Sequence, residues 1–332
     1  MVSGVGIGGG IGGGRDPHDG VPGPHDGAPG RVLRAGENTL ELGRRPWLMG
    51  IVNASPDSFS DDGSARTLDR QARRARELVD AGADMLDVGG ESARTGVPPV
   101  SVEEEIERVV PLVQRIAATI ETIVSVDTYK PQVAAAAVAA GATIVNDVSG
   151  LRDPDLARVC AETGAALVLM HTRAAPKQRL QDPELYGEDV TGEVLTCLRE
   201  RIELATAAGV AYEQLIVDPG PDFAKTPAQT IALLADVQRL HELGRPLLMA
   251  ISRKDFIGAL TSRAPRERGA GTLAALAHGV DAGAHIFRLH DIAAAADYLT
   301  VRTALSGVSA PRRDLVLAEE LRHEPRHSRH GR

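Results

Sequence analysis

An alternation of short apolar runs with longer helical stretches repeats through residues 47–289, and it leaves few folds open to this chain. Eight runs recur: Trp47–Val52, Met85–Val88, Ile123–Val126, Thr143–Val145, Ala166–Met170, Leu215–Val217, Pro246–Ile251 and His285–Leu289. Between them apolar residues fall at helical spacing, as in Ala72, Ala75, Leu78 and Val79, in Ile106, Val109, Val110 and Val113, and in Ile231, Leu234 and Val237. Ser101 followed by Glu104, and Thr226 before Pro227, read as helix starts. The phrases Ala81–Ala83, Gly141–Ala142, Gly164–Ala165 and Gly283–Ala284 read as glycine-capped helix ends that lead into strands. Strands alternating with helices imply parallel βαβ units. Eight such runs predict an α/β fold closed into a (β/α)8 TIM barrel. An open, doubly wound sheet is the alternative.

Length and composition agree with a single large domain. The chain has 332 residues, and barrels of this kind run past about 200 residues as one unit. Residues 1–35 are rich in Gly, Pro, Asp and His, and residues 309–332 end in polar, basic text. Both are expected to be disordered tails, because they bury too little apolar surface to offset their ordering entropy. A short helix over Leu315–Leu321 is expected before the end. The barrel domain is then 36–308. Aromatic residues make up only 3% of the chain against 43% hydrophobic, so Ala, Val, Leu and Ile must build the core, as in buried parallel sheets.

Charge and cysteine usage narrow the function classes. A net charge of −8 argues against nucleic acid as a partner. No apolar run approaches the roughly 20 residues of a membrane span, so no membrane partner is expected. The N-terminal segment lacks the basic start and apolar stretch of a secretory signal. The two cysteines, Cys160 and Cys197, fit a reducing cytoplasm better than a disulfide framework.

In a barrel, binding and catalytic groups sit past the C-terminal ends of the strands. Every run here ends in polar or glycine-rich text: Asn53, Gly89–Arg94, Asp127, Asn146 with Asp147, His171, Asp218, Ser252–Lys254, and Arg288 with His290 and Asp291. Any one of these could be a turn or capping residue. Together they predict one polar mouth carrying both signs of charge. Asp127, Asn146 and Asp218 offer carboxylate and amide edges suited to a planar heterocycle with adjacent N–H and C=O groups. Lys254, Arg253, Arg288 and Arg94 suit an anion such as a diphosphate. Asn53 can complete an oxygen-rich Mg²⁺ site together with diphosphate oxygens. There is no Gly-x-Ser-x-Gly elbow and no Cys near a His, so covalent catalysis is not indicated.

These segments resemble the dihydropteroate synthase family. MGIVNASPDSFSDDG (Met49–Gly63) and DVGGESARTG (Asp87–Gly96) resemble its first two signatures. SVDT (Ser125–Thr128), NDVSG (Asn146–Gly150), LMH (Leu169–His171), DPGPDFAKT (Asp218–Thr226), SRKDFIG (Ser252–Gly258) and RLHD (Arg288–Asp291) follow in the family's order. The resemblance implies a pterin-binding transferase that joins a pterin diphosphate to p-aminobenzoate, with Mg²⁺ as cofactor and a homodimer as the assembly. It implies that Asp127, Asn146, Asp218 and Lys254 bind the pterin, with Met170 and Phe223 packing near it. Asn53 would hold Mg²⁺. Arg288, His290 and Arg94 would bind the diphosphate, and Ser252 and Phe59 would contact p-aminobenzoate. Asp127, Lys254 and Arg288 would carry the catalysis. Ala54–Thr67 and Gly90–Val100 would be mobile loops over the site.

The chain departs from the family pattern at several points. The second loop reads Ser92-Ala93-Arg94-Thr95 where the family usually has Ser-Thr-Arg-Pro. Asp222 and Ala250 stand where glycine is usual, and Asp255 follows Lys254. Asp222 is expected either to crowd the pterin or to face solvent, and Asp255 to pair with Lys254. These departures leave open a pterin-binding paralogue with weak or no turnover. A methyltransferase on a related barrel is a further alternative, opposed by Pro56–Ser60 and by Ser252–Lys254.

Overall fold

The computed structural model describes residues 32–42, 45–54, 65–92 and 98–322. The elements run in the order β1 (Val32–Ala35), β2 (Asn38–Glu41), β3 (Trp47–Asn53), α1 (Ala65–Asp80), β4 (Met85–Gly89), α2 (Val102–Thr119), β5 (Ile123–Asp127), α3 (Pro131–Ala139), β6 (Ile144–Asp147) and α4 (Asp155–Thr163). They continue as β7 (Ala166–Met170), α5 (Val190–Ala207), β8 (Leu215–Asp218), α6 (Pro227–Ala235), β9 (Leu248–Met249), α7 (Asp255–Thr261), α8 (Gly269–Asp281), β10 (Ile286–Leu289) and α9 (Ile292–Leu305). Eight strands pair in parallel in the order β8-β7-β6-β5-β4-β3-β10-β9. A parallel bridge between Val217 and Leu247 links the two edges, which brings the sheet round into a barrel. The alternation in the sequence is therefore resolved as the barrel and not as an open sheet.

The helix signals act as their chemistry requires. The Ser101 side chain accepts from the Glu104 N–H, and Thr226 and Gln229 form a reciprocal capping box. Gly82, Gly141, Gly164 and Gly283 all take positive φ at the helix ends. Among the described residues no helix is long and apolar enough to cross a membrane.

Two apolar cores result. The larger lies between sheet and helices, with Val88, Val109, Leu112, Ile116, Leu167, Leu198 and Leu233 among its members. The smaller fills the lower barrel interior with Met49, Met85, Ile144, Ala166, Val168, Ile216, Leu248, Ala250 and Ile286. Its floor is a hairpin, β1 paired antiparallel to β2. This hairpin corrects the expectation that the tail extends to residue 35. Leu33 and Ala35 alternate inward and are fully buried, with Leu42 at 1% exposure. Each leucine contributes roughly 1.5–3 kcal/mol of burial. The Gly36 N–H donates to Gly164 O at 2.8 Å, and Arg34 donates to Gln214 Oε1 at 2.7 Å, which fixes the hairpin under the barrel. Residues 1–31, most of the expected N-terminal tail, and 323–332, the end of the C-terminal one, lie outside the described residues. Of the expected Leu315–Leu321 helix, only a 3₁₀ turn at Glu319–Leu321 forms.

Candidate functional site

Side chains alternate between the two faces of a strand, so one register of each strand lines the interior. Along that register the chemistry changes from apolar to polar towards the C-terminal ends. Met85 gives way to Asp87 on β4, and Ile123 to Ser125 and Asp127 on β5. Ile144 gives way to Asn146 on β6, Ile216 to Asp218 on β8 and Ile286 to Arg288 on β10. Asp87 is fully buried, with Asn146 at 2% and Asp218 at 3% exposure. Burying charge is unfavourable unless it is paired, and here it is paired across the barrel.

Arg288 is the centre of that pairing. Its Nε donates to Asp87 Oδ2 at 2.6 Å and its Nη2 to Asp127 Oδ2 at 2.7 Å. Asn146 Nδ2 donates to the same Asp87 oxygen at 3.0 Å. Asp87 Oδ1 and Ser125 Oγ are buried without a hydrogen-bond partner. Asp218 Oδ1 accepts from the Gly220 N–H at 2.7 Å. Burial pushes the Asp127 carboxyl up to about 7, against the pull of the Arg288 charge and helped by the neighbouring Asp87. Burial likewise pushes Asp218 up to about 6, opposed by the Gly220 N–H and the Lys254 charge. Both carboxyls thus sit where a positively charged ligand would favour their ionised form.

The opposite wall comes from the loops after β8, β9 and β10. The Lys254 ammonium rests over the Phe223 ring, 4.2 Å from its centroid. Burial lowers its proton affinity, while Asp222 and Asp218 hold it up. Ser252 and His290 are joined: His290 Nδ1 lies 2.8 Å from Ser252 Oγ, and the His290 N–H donates to that oxygen at 3.2 Å. Burial and the cations Arg253, Arg288 and Lys254 push His290 down to about 4, so its ring is neutral at pH 7. Met170 is buried at the end of β7, where its backbone registers with Asp218. Asn53 is exposed at the end of β3, in register with Gly89, which in turn faces Asp127.

The structure therefore gathers Asp127, Asn146, Met170, Asp218, Phe223, Ser252, Lys254, Arg288 and His290 at one pole, with Asn53 on the rim. Arg94 and Phe59, like Ala93 and Thr95, lie outside the described residues. Other strand-end residues turn out to be structural. Asp147 accepts the N–H groups of Ser149 and Leu151 at 2.7 and 2.5 Å, and Asp291 caps α9. Asp255 pairs with Arg268 at 3.0 Å and not with Lys254 as expected. The Ala250 methyl joins the lower core.

Two residues were missed by sequence reasoning. Asp87 was hidden inside an apolar run, where a carboxylate in the inward register was the available signal. Lys225 is fully buried, lies 2.8 Å from His171 Nδ1, and donates to Gly220 O and Phe223 O at 3.0 and 3.1 Å. Burial pushes it down to about 7. It braces the loop that carries Phe223, and no local sequence pattern announces this.

Among the described residues no group of three or more His, Cys, Asp or Glu could hold a metal ion. Asn53, with a single neutral oxygen, suits a hard cation that takes its remaining ligands from a phosphate-bearing substrate and water.

Comparison with known proteins gives a consistent result. The family described as pterin binding enzyme matches residues 49–290. The chain is 40% identical over 275 residues to a dihydropteroate synthase of Synechocystis sp., covering 82% of this chain and 94% of that one. It is 42% identical over 247 residues to the dihydropteroate synthase of Escherichia coli strain K12, covering 74% and 87%. The solved dihydropteroate synthase of Xanthomonas albilineans with 4-aminobenzoic acid superposes with a TM-score of 0.77 at 43% identity, covering 84% of this chain and all of that one. A second structure of that enzyme, in complex with 7,8-dihydropteroate, gives 0.74 at 42% identity and the same coverage of each chain.

Proposed function

The chain belongs to the dihydropteroate synthase family of pterin-binding transferases, and from that premise we propose that it condenses 6-hydroxymethyl-7,8-dihydropterin diphosphate with p-aminobenzoate, releasing 7,8-dihydropteroate and diphosphate. The observation that carries the reading is the buried Asp87–Arg288–Asp127 network with Asn146, beside Asp218 and Lys254, at the C-terminal mouth of the barrel.

Asp127, Asn146 and Asp218 hold the N–H and C=O edges of the pterin, and Lys254 donates to it from the facing wall. Met170 and Phe223 flank the ring. The C–O bond to diphosphate breaks first, and positive charge develops on the pterin. Asp127 and Asp218 are carboxyls whose ionised form is disfavoured by burial, and they are stabilised by that charge. Arg288, His290 and Arg94 receive the leaving diphosphate. The amine of p-aminobenzoate, held by Ser252 and Phe59, then forms the C–N bond and releases its proton to solvent. No protein nucleophile is needed. Asn53 would hold Mg²⁺ against the diphosphate oxygens, and the ion would supply charge neutralisation for the leaving group. The same reading has the enzyme working as a homodimer in a reducing cytoplasm, in keeping with its two free cysteines.

Diphosphate release tests this. Turnover that requires both substrates and Mg²⁺, and that is lost in Lys254→Ala, is the expected result. Pterin binding without release would favour the inactive-paralogue reading instead.

A further inference from the structure

Asp222 holds a backbone conformation that favours glycine. Its φ is 65°, in the left-handed region where a side chain costs energy and glycine does not. The carboxylate is partly buried. Its Oδ2 accepts the Asp255 N–H at 2.5 Å, which joins the β8–α6 loop to the first residue of α7. Its own N–H donates to Thr230 Oγ1 at 3.1 Å. Its Oδ1 is buried without a hydrogen-bond partner.

The residue before Asp255 is Lys254, and the residue after Asp222 is Phe223, over whose ring the Lys254 ammonium lies. The Asp222–Asp255 bond therefore closes a small ring of contacts with Lys254 and Phe223 inside it. The charged groups around Lys254 are Asp218 on β8, Asp222, Asp255 on α7 and Arg288 on β10, and Lys225 and His290 feel its charge in turn. Asp255 is already committed to Arg268 and its side chain is 66% exposed. Asp218 is tied to Gly220. Asp222 Oδ1, buried and without a hydrogen-bond partner, keeps its acceptor capacity within this group.

We propose that Asp222 is a positioning residue for Lys254, fixing it over Phe223 through the start of α7 and contributing a compensating negative charge to its surroundings. The positional claim stands on geometry alone. Its consequence for turnover rests on the function proposed above. Removing the Asp222 charge removes an influence that raises Lys254, so the Lys254 titration moves to lower pH. An enzyme that needs the ammonium then loses activity earlier as pH rises.

The chain has only four lysines, Lys130, Lys177, Lys225 and Lys254, so each can be followed directly. The full-length protein is labelled with ¹³C at the lysine ε-carbon, resonances are assigned with Lys→Arg variants, and wild type, Asp222→Asn and Asp222→Gly are titrated. Asparagine tolerates the left-handed backbone and keeps an acceptor for the Asp255 N–H, so Asp222→Asn isolates the charge. The expected result is a lower Lys254 midpoint in both variants with Lys177 unchanged. In Asp222→Gly the upfield ring-current displacement of the Lys254 signal by Phe223 is also expected to diminish. A Lys254 midpoint in Asp222→Asn equal to that of wild type overturns the proposal. In parallel, the alkaline limb of kcat/KM for diphosphate release is expected to shift down in Asp222→Asn. A wild type without turnover, combined with a moved Lys254 midpoint, would sink the functional reading and leave the positioning role standing.

Discussion

Replacing Arg288 by methionine keeps most of the side chain's volume and removes its charge. In the folded protein Arg288 satisfies two carboxylates at 2.6 and 2.7 Å, and the Asp87 and Asp127 side chains are only 0% and 13% exposed. Breaking such a buried pair by removing one partner costs about 3–5 kcal/mol, chiefly because the abandoned charge stays buried. For a domain of this size that is a fall in melting temperature of roughly 6–15 °C. The loss must also depend on pH. Arg288 pulls the Asp127 proton affinity down against the burial that raises it. The folded protein already binds a proton there more tightly than the unfolded chain does, and without Arg288 that excess grows. A carboxyl raised in the folded state is a liability at alkaline pH that disappears as pH falls. The gap between wild type and Arg288→Met, measured by urea denaturation of ligand-free protein with circular dichroism, is therefore largest near pH 8 and narrows towards pH 5.5. A gap below about 1 kcal/mol, or one equal at both pH values, would refute the claim that this arginine neutralises a buried acidic pair.

Other outcomes follow from the same geometry. Burial pushes Asp127 and Asp218 up to about 7 and about 6, and both serve as acceptors for the pterin, so pterin affinity measured by calorimetry should be flat only above about pH 8 and weaken by about tenfold or more per unit below 6; an affinity unchanged at pH 5 would contradict that role. Lys225→Met should weaken pterin binding by about tenfold or more while leaving the circular dichroism spectrum intact, since it frees the carbonyls of Gly220 and Phe223; unchanged binding would show that the brace is dispensable. Gly220→Ala should lower stability by more than about 3 kcal/mol, because a Cβ there would lie 2.1 Å from His171 O at φ +63; a melting temperature within a degree of wild type would be inconsistent with this backbone.

Much of this architecture was legible beforehand, and the parts that were not share a physical reason. Parallel strands covered on both sides are largely apolar, so β4, β5, β7 and β10 stand out as runs. The run expected at Pro246–Ile251 shrinks to Leu248–Met249, because the closing edge is held by a bridge at Leu247 and by the Val217 N–H donating to Pro246 O at 2.9 Å. The β1–β2 hairpin is hard to read because each strand is four residues long, only alternate residues of β1 are buried, and β2 has a single apolar residue, Leu40. The residue types of the mouth were readable, but their partners were not. Arg288 meets Asp87 and Asp127 across separations of 201 and 161 positions, contacts that exist only once the barrel has closed. Asp147, which closes a turn, and Asp291, which caps α9, resemble site residues because a short carboxylate at the end of a strand suits both tasks.

The central claim is that side chains from separate strand ends meet in one pocket that makes a carbon–nitrogen bond. Mass-spectrometric detection of 7,8-dihydropteroate in reactions of the purified chain with pterin diphosphate, p-aminobenzoate and Mg²⁺ addresses it directly. Product equimolar with released diphosphate, and absent from Asp127→Asn and Lys254→Ala proteins that remain folded, is the predicted result. Diphosphate released without dihydropteroate, or product formed equally well by both variants, would contradict it.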